Sequence, residues 1–349
     1  HLWIKIMAYS TISKPSLHFN TKLYTGTGSS NALTGVGFQP DWTWIKKRSA
    51  TGSNSLFDAV RGVTKLISSN TTSAEATLSG GLTAFGTDGF TVGSDSDVNG
   101  NGATYAAWNW KANGAGSSNS DGSINSTVSV NTTAGFSIVK FNVGSSGGDI
   151  TVGHGLGVVP KMMIMKSLDD SYNWDVYHAS VVNSKRLVLN TDGSQSNSSY
   201  MSSTSPTSSV FTFKQTHYGS NSDAIAYCFA EKKGYSKFGQ YTGNGNADGT
   251  FIYTGFKPAF ILQKRTDNTS NWHIFDNKRE TFNPQQKYLL PNTNAAEGDA
   301  GSWDFLSNGF KIRSSEAWQN NSGGTYVYMA FAAEPLVANV GSSIPATAR

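Results

Sequence analysis

The chain has a single cysteine, Cys228, and few charged residues, which make up 14% of its 349 residues. One cysteine excludes a disulfide framework within the chain. Cys228 stands beside Phe229 in an apolar segment, and we expect it to be a small buried residue. No run of 18 apolar residues is present, which excludes a membrane-spanning helix. The net charge is +4 without a dense lysine and arginine cluster, so neither nucleic acid nor a membrane is an expected partner.

Long segments with helical periodicity are also missing. The sequence instead has 37 glycines, 12% aromatic residues and short alternating apolar segments that end in Gly, Asn, Asp or Ser. Pairs such as Asp88-Gly89 and Asn308-Gly309 favour tight reversals between such segments. This punctuation is typical of strands and turns, and it predicts an all-β fold.

One sequence pattern occurs three times. Its openings are Gly37-Phe38-Gln39-Pro40, Gly157-Val158-Val159-Pro160 and Gly255-Phe256-Lys257-Pro258. A lysine follows each proline six positions later, and the residues eighteen positions later are Asp58, His178 and Asp276. Shared spacing over this distance indicates three copies of one folding unit.

The copies predict the organisation of the chain. We expect an arm over residues 1–18, copy one over 19–111, a Gly/Ser/Asn-rich linker over 112–134, copy two over 135–232, copy three over 233–336 and a tail over 337–349. Each copy, of about 100 residues, has the size of a jelly-roll-like β-sandwich. Three sandwiches in a row are the first expectation, and one compact body with internal pseudo-threefold symmetry is the alternative.

The first residues do not fit a signal peptide, because their apolar stretch is too short. Met7-Ala8 is typical of an initiation site, which makes residues 1–6 an upstream extension. We therefore expect no export signal at this end.

The shared charged residues predict structural ion pairs. Each lysine has the same parity as two apolar residues of its strand, so it faces the core and needs a partner. An aspartate on the next strand is the candidate, and an arginine follows that aspartate by three positions. The residues of this hypothesis are Lys46, Asp58, Arg61, Lys264, Asp276 and Arg279. Copy two has His178 and Val181 in place of the Asp and Arg, and this joint change favours a structural role.

Two further sets of residues are candidates for binding. Asp95, Asp97 and Asn99, followed by Gly100, copy the first half of a calcium loop, but Ala106 stands where the bidentate glutamate belongs. Ca²⁺ is thus a weak candidate, and we expect no cofactor. The tryptophans of the loop-rich third copy, Trp303 and Trp318, are candidates for stacking on sugars, whereas Trp42, Trp44, Trp174 and Trp272 are expected in the core.

Motifs for catalysis are missing. The Glu-x-Asp-x-x-Glu signature of laminarinase-like sandwiches, a Gly-x-Ser-x-Gly elbow and a His-x-x-x-His spacing do not occur. Glycoside hydrolysis needs two carboxyl groups that flank one bond, and the 23 acidic residues are scattered. The sequence therefore predicts a protein that is not an enzyme.

Four segments carry a resemblance to a known family, namely residues 37–42, 56–62, 105–111 and 241–250. They resemble uncharacterised tandem-repeat β-proteins encoded by tailed phages of marine bacteria, some described as lectin-like or tail-fibre proteins. The likeness runs from about Ser10 to Arg349 and brings no catalytic residues with it. It implies a fibre, appendage or capsid-decorating protein of the virion, assembled in the host cytoplasm.

The partners that this resemblance implies are further copies of the chain in a homo-oligomer, other virion proteins and glycans of the host surface. The alternative is a polysaccharide-degrading enzyme, a glycoside hydrolase or lyase, on a concanavalin-like scaffold.

Overall fold

The computed structural model describes residues 10–198, 200–201 and 203–335; residues 1–9, which include Met7, and the predicted tail lie outside these ranges. Strands make up 46% of the described residues and helix 4%, so the all-β prediction is confirmed. None of the helices in the described ranges has the length and apolarity needed to span a membrane.

Copy one follows a 3-10 turn at Pro15–Leu17 and forms two antiparallel sheets. Its elements are β1 (Phe19–Thr25), β2 (Asn31–Thr34), β3 (Trp42–Lys47), β4 (Asn54–Asp58), β5 (Lys65–Ser68), β6 (Ala76–Thr77), β7 (Leu82–Gly86), β8 (Gly89–Val92), α1 (Ser96–Asn99) and β9 (Thr104–Trp110). The larger sheet has the order β1-β9-β3-β4-β5-β6, and the smaller has β2-β8-β7.

Copy two repeats this plan with more strands in the larger sheet. Its strands are β10 (Ser117–Asn119), β11 (Ser126–Asn131), β12 (Phe136–Asn142), β13 (Asp149–Gly153), β14 (Met162–Ser167), β15 (Asp175–His178), β16 (Lys185–Val188), β17 (Ser196–Asn197), β18 (Val210–Lys214) and β19 (Asp223–Phe229), with a 3-10 turn at Gln215–His217. The larger sheet has the order β10-β11-β12-β19-β14-β15-β16-β17, and β13 and β18 form the smaller one.

The segment 112–134 is not the linker that its composition predicts. It contributes β10 and β11, which extend the larger sheet of copy two beyond β12. Within the polar composition, two valines occupy alternate positions of β11: Val128 is buried in the interior of copy two, and Val130 is partly buried against it. Two apolar side chains on one face favour the addition of this strand to an existing sheet edge.

Copy three completes the series. Its elements are β20 (Ser236–Thr242), β21 (Phe251–Tyr253), β22 (Phe256–Arg265), β23 (Trp272–Asp276), β24 (Gln285–Tyr288), β25 (Gly298–Leu306), β26 (Gly309–Ile312), α2 (Ala317–Asn320) and β27 (Thr325–Pro335). The two sheets have the orders β20-β27-β22-β23 and β21-β26-β25-β24. Gly309 touches the neighbouring strand so closely that a Cβ there would lie 2.0 Å from the Ile252 carbonyl oxygen.

Each larger sheet is buried on both faces. Along β3, Ile45 points into the interior of the copy-one sandwich, whereas Trp42 and Trp44 point to a core that residues of all three copies build, here called the shared core. β14 divides its residues in the same way, with Met163 inside copy two and Ile164 in the shared core. Near-continuous apolar strands are the sequence correlate of a sheet that is covered on both sides.

Aromatic rings join the copies inside the shared core. Trp42 of copy one stacks on Tyr227 of copy two with ring centroids 4.3 Å apart. Phe331 of copy three lies 5.2 Å from Phe19 of copy one and 6.0 Å from Phe229 of copy two. The three sandwiches thus form one body, the second of the two arrangements that the sequence left open, and not a row.

Backbone hydrogen bonds close this body into a ring. Three equivalent N–H groups each donate to the carbonyl of a different copy, at 2.8–2.9 Å: Glu75 to Leu168, Gln195 to Thr266, and Glu297 to Arg48. Copy one therefore contacts copy two, copy two contacts copy three, and copy three returns to copy one.

Candidate functional site

The shared aspartates and arginines lie together at the end of β4 and of β23. Arg61 Nε donates to Asp58 Oδ2 at 2.5 Å, and Arg279 Nε donates to Asp276 Oδ2 at 2.6 Å. Each aspartate ends its strand, and the following tight turn brings the arginine back three residues later, with its backbone N–H on Oδ1 of the same carboxylate. All four side chains are buried. Burial alone would lower the pKa of Arg61, but the Asp58 carboxylate and the nearby Tyr227 raise it above its ordinary value.

Each of these carboxylates also accepts a hydrogen bond from another copy. The Tyr227 hydroxyl of copy two donates to Asp58 Oδ2 at 2.7 Å. Trp108 Nε1 of copy one donates to Asp276 Oδ2 of copy three at 3.0 Å. The Asp-Arg pairs therefore sit at the copy boundaries, and each carboxylate is bonded both within its own copy and to the next one.

The third boundary has a different pair of side chains. The position equivalent to Trp108 and Tyr227 is Met329, which has no N–H or O–H to donate, and the position equivalent to the aspartates is His178. His178 Nε2 donates to the Tyr328 carbonyl oxygen at 3.2 Å, while its Nδ1 accepts from the Ser180 N–H. Burial lowers the pKa of His178 to about 4, so the ring is neutral at neutral pH.

The lysines are not partners of the aspartates, so this part of the predicted ion-pair network is wrong. Lys46 faces Asn54 in the register of β3 and β4, four residues away from Asp58, which is about 13 Å along a strand. Its Nζ donates to the carbonyl oxygens of Gly52 at 2.6 Å and of Thr293, in copy three, at 3.2 Å. Lys264 likewise donates to Ser270 at 2.6 Å and to Asp192 of copy two at 3.0 Å.

The lysines are buried cations that bind mainly neutral carbonyl dipoles. Burial is the largest influence on all three, and it lowers the pKa of Lys46, Lys166 and Lys264 to about 8. Lys166 differs in that its two carbonyl acceptors, Ser167 and Asp170, belong to its own copy.

The two tryptophans that are candidates for sugar binding do not form an exposed pair of rings. Trp303 is fully buried, its indole N–H donates to Gln319 Oε1, and its ring stacks on Phe275, so it has no face for a sugar. Trp318 is half-buried, and one face of its ring is covered by His273 at a centroid distance of 4.0 Å. Both rings complete the interior of the copy-three sandwich.

The candidate calcium residues serve the fold. Asp95 caps α1 by accepting the Asp97 N–H at 2.8 Å, and Asp97 accepts the Ser53 N–H at 3.2 Å. Asn99 is buried. Its side-chain oxygen accepts the N–H of Thr27, in the loop before β2, and its side-chain N–H donates to the Gly93 carbonyl oxygen. These hydrogen bonds engage side-chain oxygens of Asp95, Asp97 and Asn99, which a cation would need as ligands. Among the described residues no group of three His, Cys, Asp or Glu side chains is arranged to hold a metal ion.

A polar cluster of copy two was missed from the sequence. Asp175 is fully buried, and its carboxylate accepts from His217 Nε2 at 2.5 Å, from the Tyr218 hydroxyl at 3.3 Å and from Arg186 Nη1. The Tyr200 ring lies beside His217, tilted to it, at a centroid distance of 5.4 Å. The position of Asp175 is occupied by Ser55 in copy one and His273 in copy three, so comparison of the copies was the available signal.

This cluster adjoins a small surface cleft. The cleft has a volume of about 210 Å³ and is lined by Gln215, Thr216, Tyr218 and the glycine-rich loop that includes Gly144 and Gly147. The side chains of His217 and Arg186 are partly exposed, whereas the Asp175 carboxylate is fully buried. Burial and the nearby Asp175 carboxylate raise the pKa of Tyr218 well above its ordinary value, so its hydroxyl stays protonated.

Comparison with known proteins gives one match. The family model described as "Domain of unknown function (DUF7483)" matches residues 14–335, nearly the whole chain. No curated protein and no solved structure matches this chain.

Proposed function

Because the chain belongs to the DUF7483 family, whose description assigns no function, we propose one from its geometry and its sequence likeness: it is a non-enzymatic structural protein of a phage virion. In this proposal it is a fibre, appendage or capsid-decorating protein that self-associates and adheres to host surface glycans.

The observation that carries the proposal is the use of the shared polar residues. Asp58, Asp276 and their arginines are sequestered at the boundaries between copies, where each carboxylate is saturated with donors. A catalytic group must reach a substrate, whereas these groups tie three sandwiches into one rigid body. Rigid bodies of this kind suit an assembly whose parts must hold a fixed shape.

Labelling of particles tests this proposal. Antibodies against the purified protein are applied to phage particles whose genome encodes the chain, and electron microscopy with gold labelling locates them. Gold at a fixed place on the particle is the expected result. Particles that contain none of the protein by mass spectrometry would refute a virion role.

One observation favours the second candidate, a polysaccharide lyase. Abstraction of a proton beside a uronic acid carboxylate needs a base and a cation, and His217, Tyr218 and Arg186 stand together around Asp175. Incubation with alginate and other uronic acid polymers, followed by absorbance of unsaturated products, distinguishes the candidates. The structural proposal predicts no product, and a product lost in the His217→Asn variant would establish the lyase.

A further inference from the structure

The smaller sheet of copy three exposes two aromatic side chains on one face. Phe251 and Tyr253, at the two ends of β21, are 43% and 53% exposed, while Ile252 between them is buried in the sandwich. Residues two apart on a strand point to the same side, about 7 Å apart. β21 is the edge strand of its sheet, so this face is open at its border.

Copy one builds the equivalent strand without aromatic rings in the outward positions. β2 of copy one occupies the same place: Leu33 pairs with Phe90 and Thr34 with Gly89, as Ile252 pairs with Phe310 and Tyr253 with Gly309. By this register the copy-one equivalents of Phe251 and Tyr253 are Ala32 and Thr34, which are exposed too. Copy one thus builds the same strand with small or polar residues in the outward positions.

Charged side chains lie directly beside the rings. Phe251 pairs across the sheet with Lys311, whose Nζ contacts Asp248 Oδ1 at 2.6 Å. Arg313 joins this network through Asp304 Oδ2 at 2.6 Å and Asp248 at 3.4 Å. Asp248 is 75% exposed, so its carboxylate has capacity for further hydrogen bonds.

We propose that Phe251 and Tyr253, with Asp248, Lys311 and Arg313 beside them, form a binding platform for an extended polysaccharide. A pyranose ring presents a C–H face that packs on an aromatic ring and a rim of hydroxyls that needs donors and acceptors at its side. Asp248, Lys311 and Arg313 supply such donors and acceptors beside the two rings. The platform is open rather than a pocket, so it suits the middle of a chain rather than its end.

This site is where the glycan adhesion of the proposed function would occur. The inference rests on the proposed function for the source of the polysaccharide. The binding platform and the virion role can fail independently. Gold labelling can locate the protein on particles even if this face binds no polysaccharide. Equally, polysaccharide can bind at this face whatever particle or cell carries the protein.

Affinity electrophoresis of the full chain tests the platform. Native gels contain hydroxyethylcellulose, laminarin or alginate, which cover neutral and acidic extended polymers. We expect retardation by at least one of them. The double variant Phe251→Ala, Tyr253→Thr, which installs the copy-one residues, is expected to lose about tenfold or more in affinity. The control Val182→Thr removes an exposed apolar side chain from copy two and should bind as the native protein does.

Thermal unfolding shows whether the variants fold, and surface changes of this kind should leave the midpoint nearly unchanged. Two outcomes would overturn the site: no retardation of the native protein by any of the polymers, or equal retardation of native protein and double variant. If the second result comes with a change of oligomeric state in sedimentation, the rings belong to contacts between copies of the chain.

Discussion

The Tyr227 hydroxyl and the Asp58 carboxylate, 169 residues apart in sequence, are 2.7 Å apart across the boundary of copies two and one. Trp108 and Asp276 repeat this relationship at the boundary of copies one and three. In both cases a donor on the last strand of one copy meets the aspartate that another copy holds with its own arginine. The same positions thus connect copy one to both of the other sandwiches.

Removal of the Tyr227 hydroxyl should weaken one boundary. Tyr227→Phe keeps the ring that stacks on Trp42 but deletes a hydrogen bond to a buried carboxylate, and we expect a loss of about 2 kcal/mol in the free energy of unfolding. Denaturant titration measures this loss. The control is Tyr177→Phe, a buried tyrosine for whose hydroxyl no hydrogen bond appears among the described residues. Equal small losses for both variants would contradict the role of the contact.

The Asp276-Arg279 pair should behave as a coupled unit. Asp276→Ala removes the carboxylate that accepts from Arg279 Nε and leaves the buried guanidinium with only Glu297, 3.2 Å from Nη1, so a loss of about 3 kcal/mol is expected. The double variant Asp276→Ala, Arg279→Ala removes both charges and should cost much less than the sum of the single changes. Additive losses in this double-mutant cycle would mean that the two side chains act independently.

The buried lysines predict an alkaline rise in stability. Their pKa is about 8 in the folded protein and 10.5 ordinarily, so the unfolded chain holds more protons than the folded chain across this interval. The free energy of unfolding should therefore rise with pH from 8 towards 10.5, because deprotonation relieves the buried charges. Buried tyrosines with raised pKa values, such as Tyr227, act with the opposite sign above their ordinary pKa of 10, because the unfolded chain then releases protons first and stability falls as the pH rises.

Urea unfolding across pH 8 to 10 measures this slope. Lys166→Met is the informative variant, since the two carbonyl acceptors of Lys166 belong to its own copy, and it should reduce the slope. Lys65→Met, which changes a lysine whose side chain is 40% exposed, is the matched control for the loss of one lysine. A slope that Lys166→Met does not alter would contradict the assignment.

The Cys228 thiol should be unreactive in the folded protein. It is fully buried in β19, and burial raises the pKa of its thiol, so thiolate is scarce as well as inaccessible. We expect no reaction with a disulfide reagent under native conditions and a full reaction in denaturant. Gly148→Cys, at a loop position with no atom within 4 Å of a new Cβ, should react at once and serves as the control. Rapid reaction of the native thiol would indicate that the larger sheet of copy two opens easily.

The sequence predicted the strands and the equivalence of the copies because period-two burial and turn residues are local signals. The sequence-based pairing of Lys46 with Asp58 is wrong. The odd or even position of a residue in a strand predicts the face to which its side chain points, but not which residue of the next strand lies opposite. The bond from Tyr227 to Asp58 was beyond reach because it depends on how whole copies pack. Trp303 was a candidate for sugar stacking because of its loop-rich surroundings, yet β25 directs it into the sandwich.

The most direct test of one body with a shared core is differential scanning calorimetry of the full chain. If the larger sheets depend on each other for their second face, the chain should unfold in one transition whose calorimetric and van't Hoff enthalpies agree. Tyr227→Phe should move that whole transition to lower temperature. Two or three resolved transitions, of which the variant shifts only one, would contradict the shared core and restore the picture of sandwiches in a row.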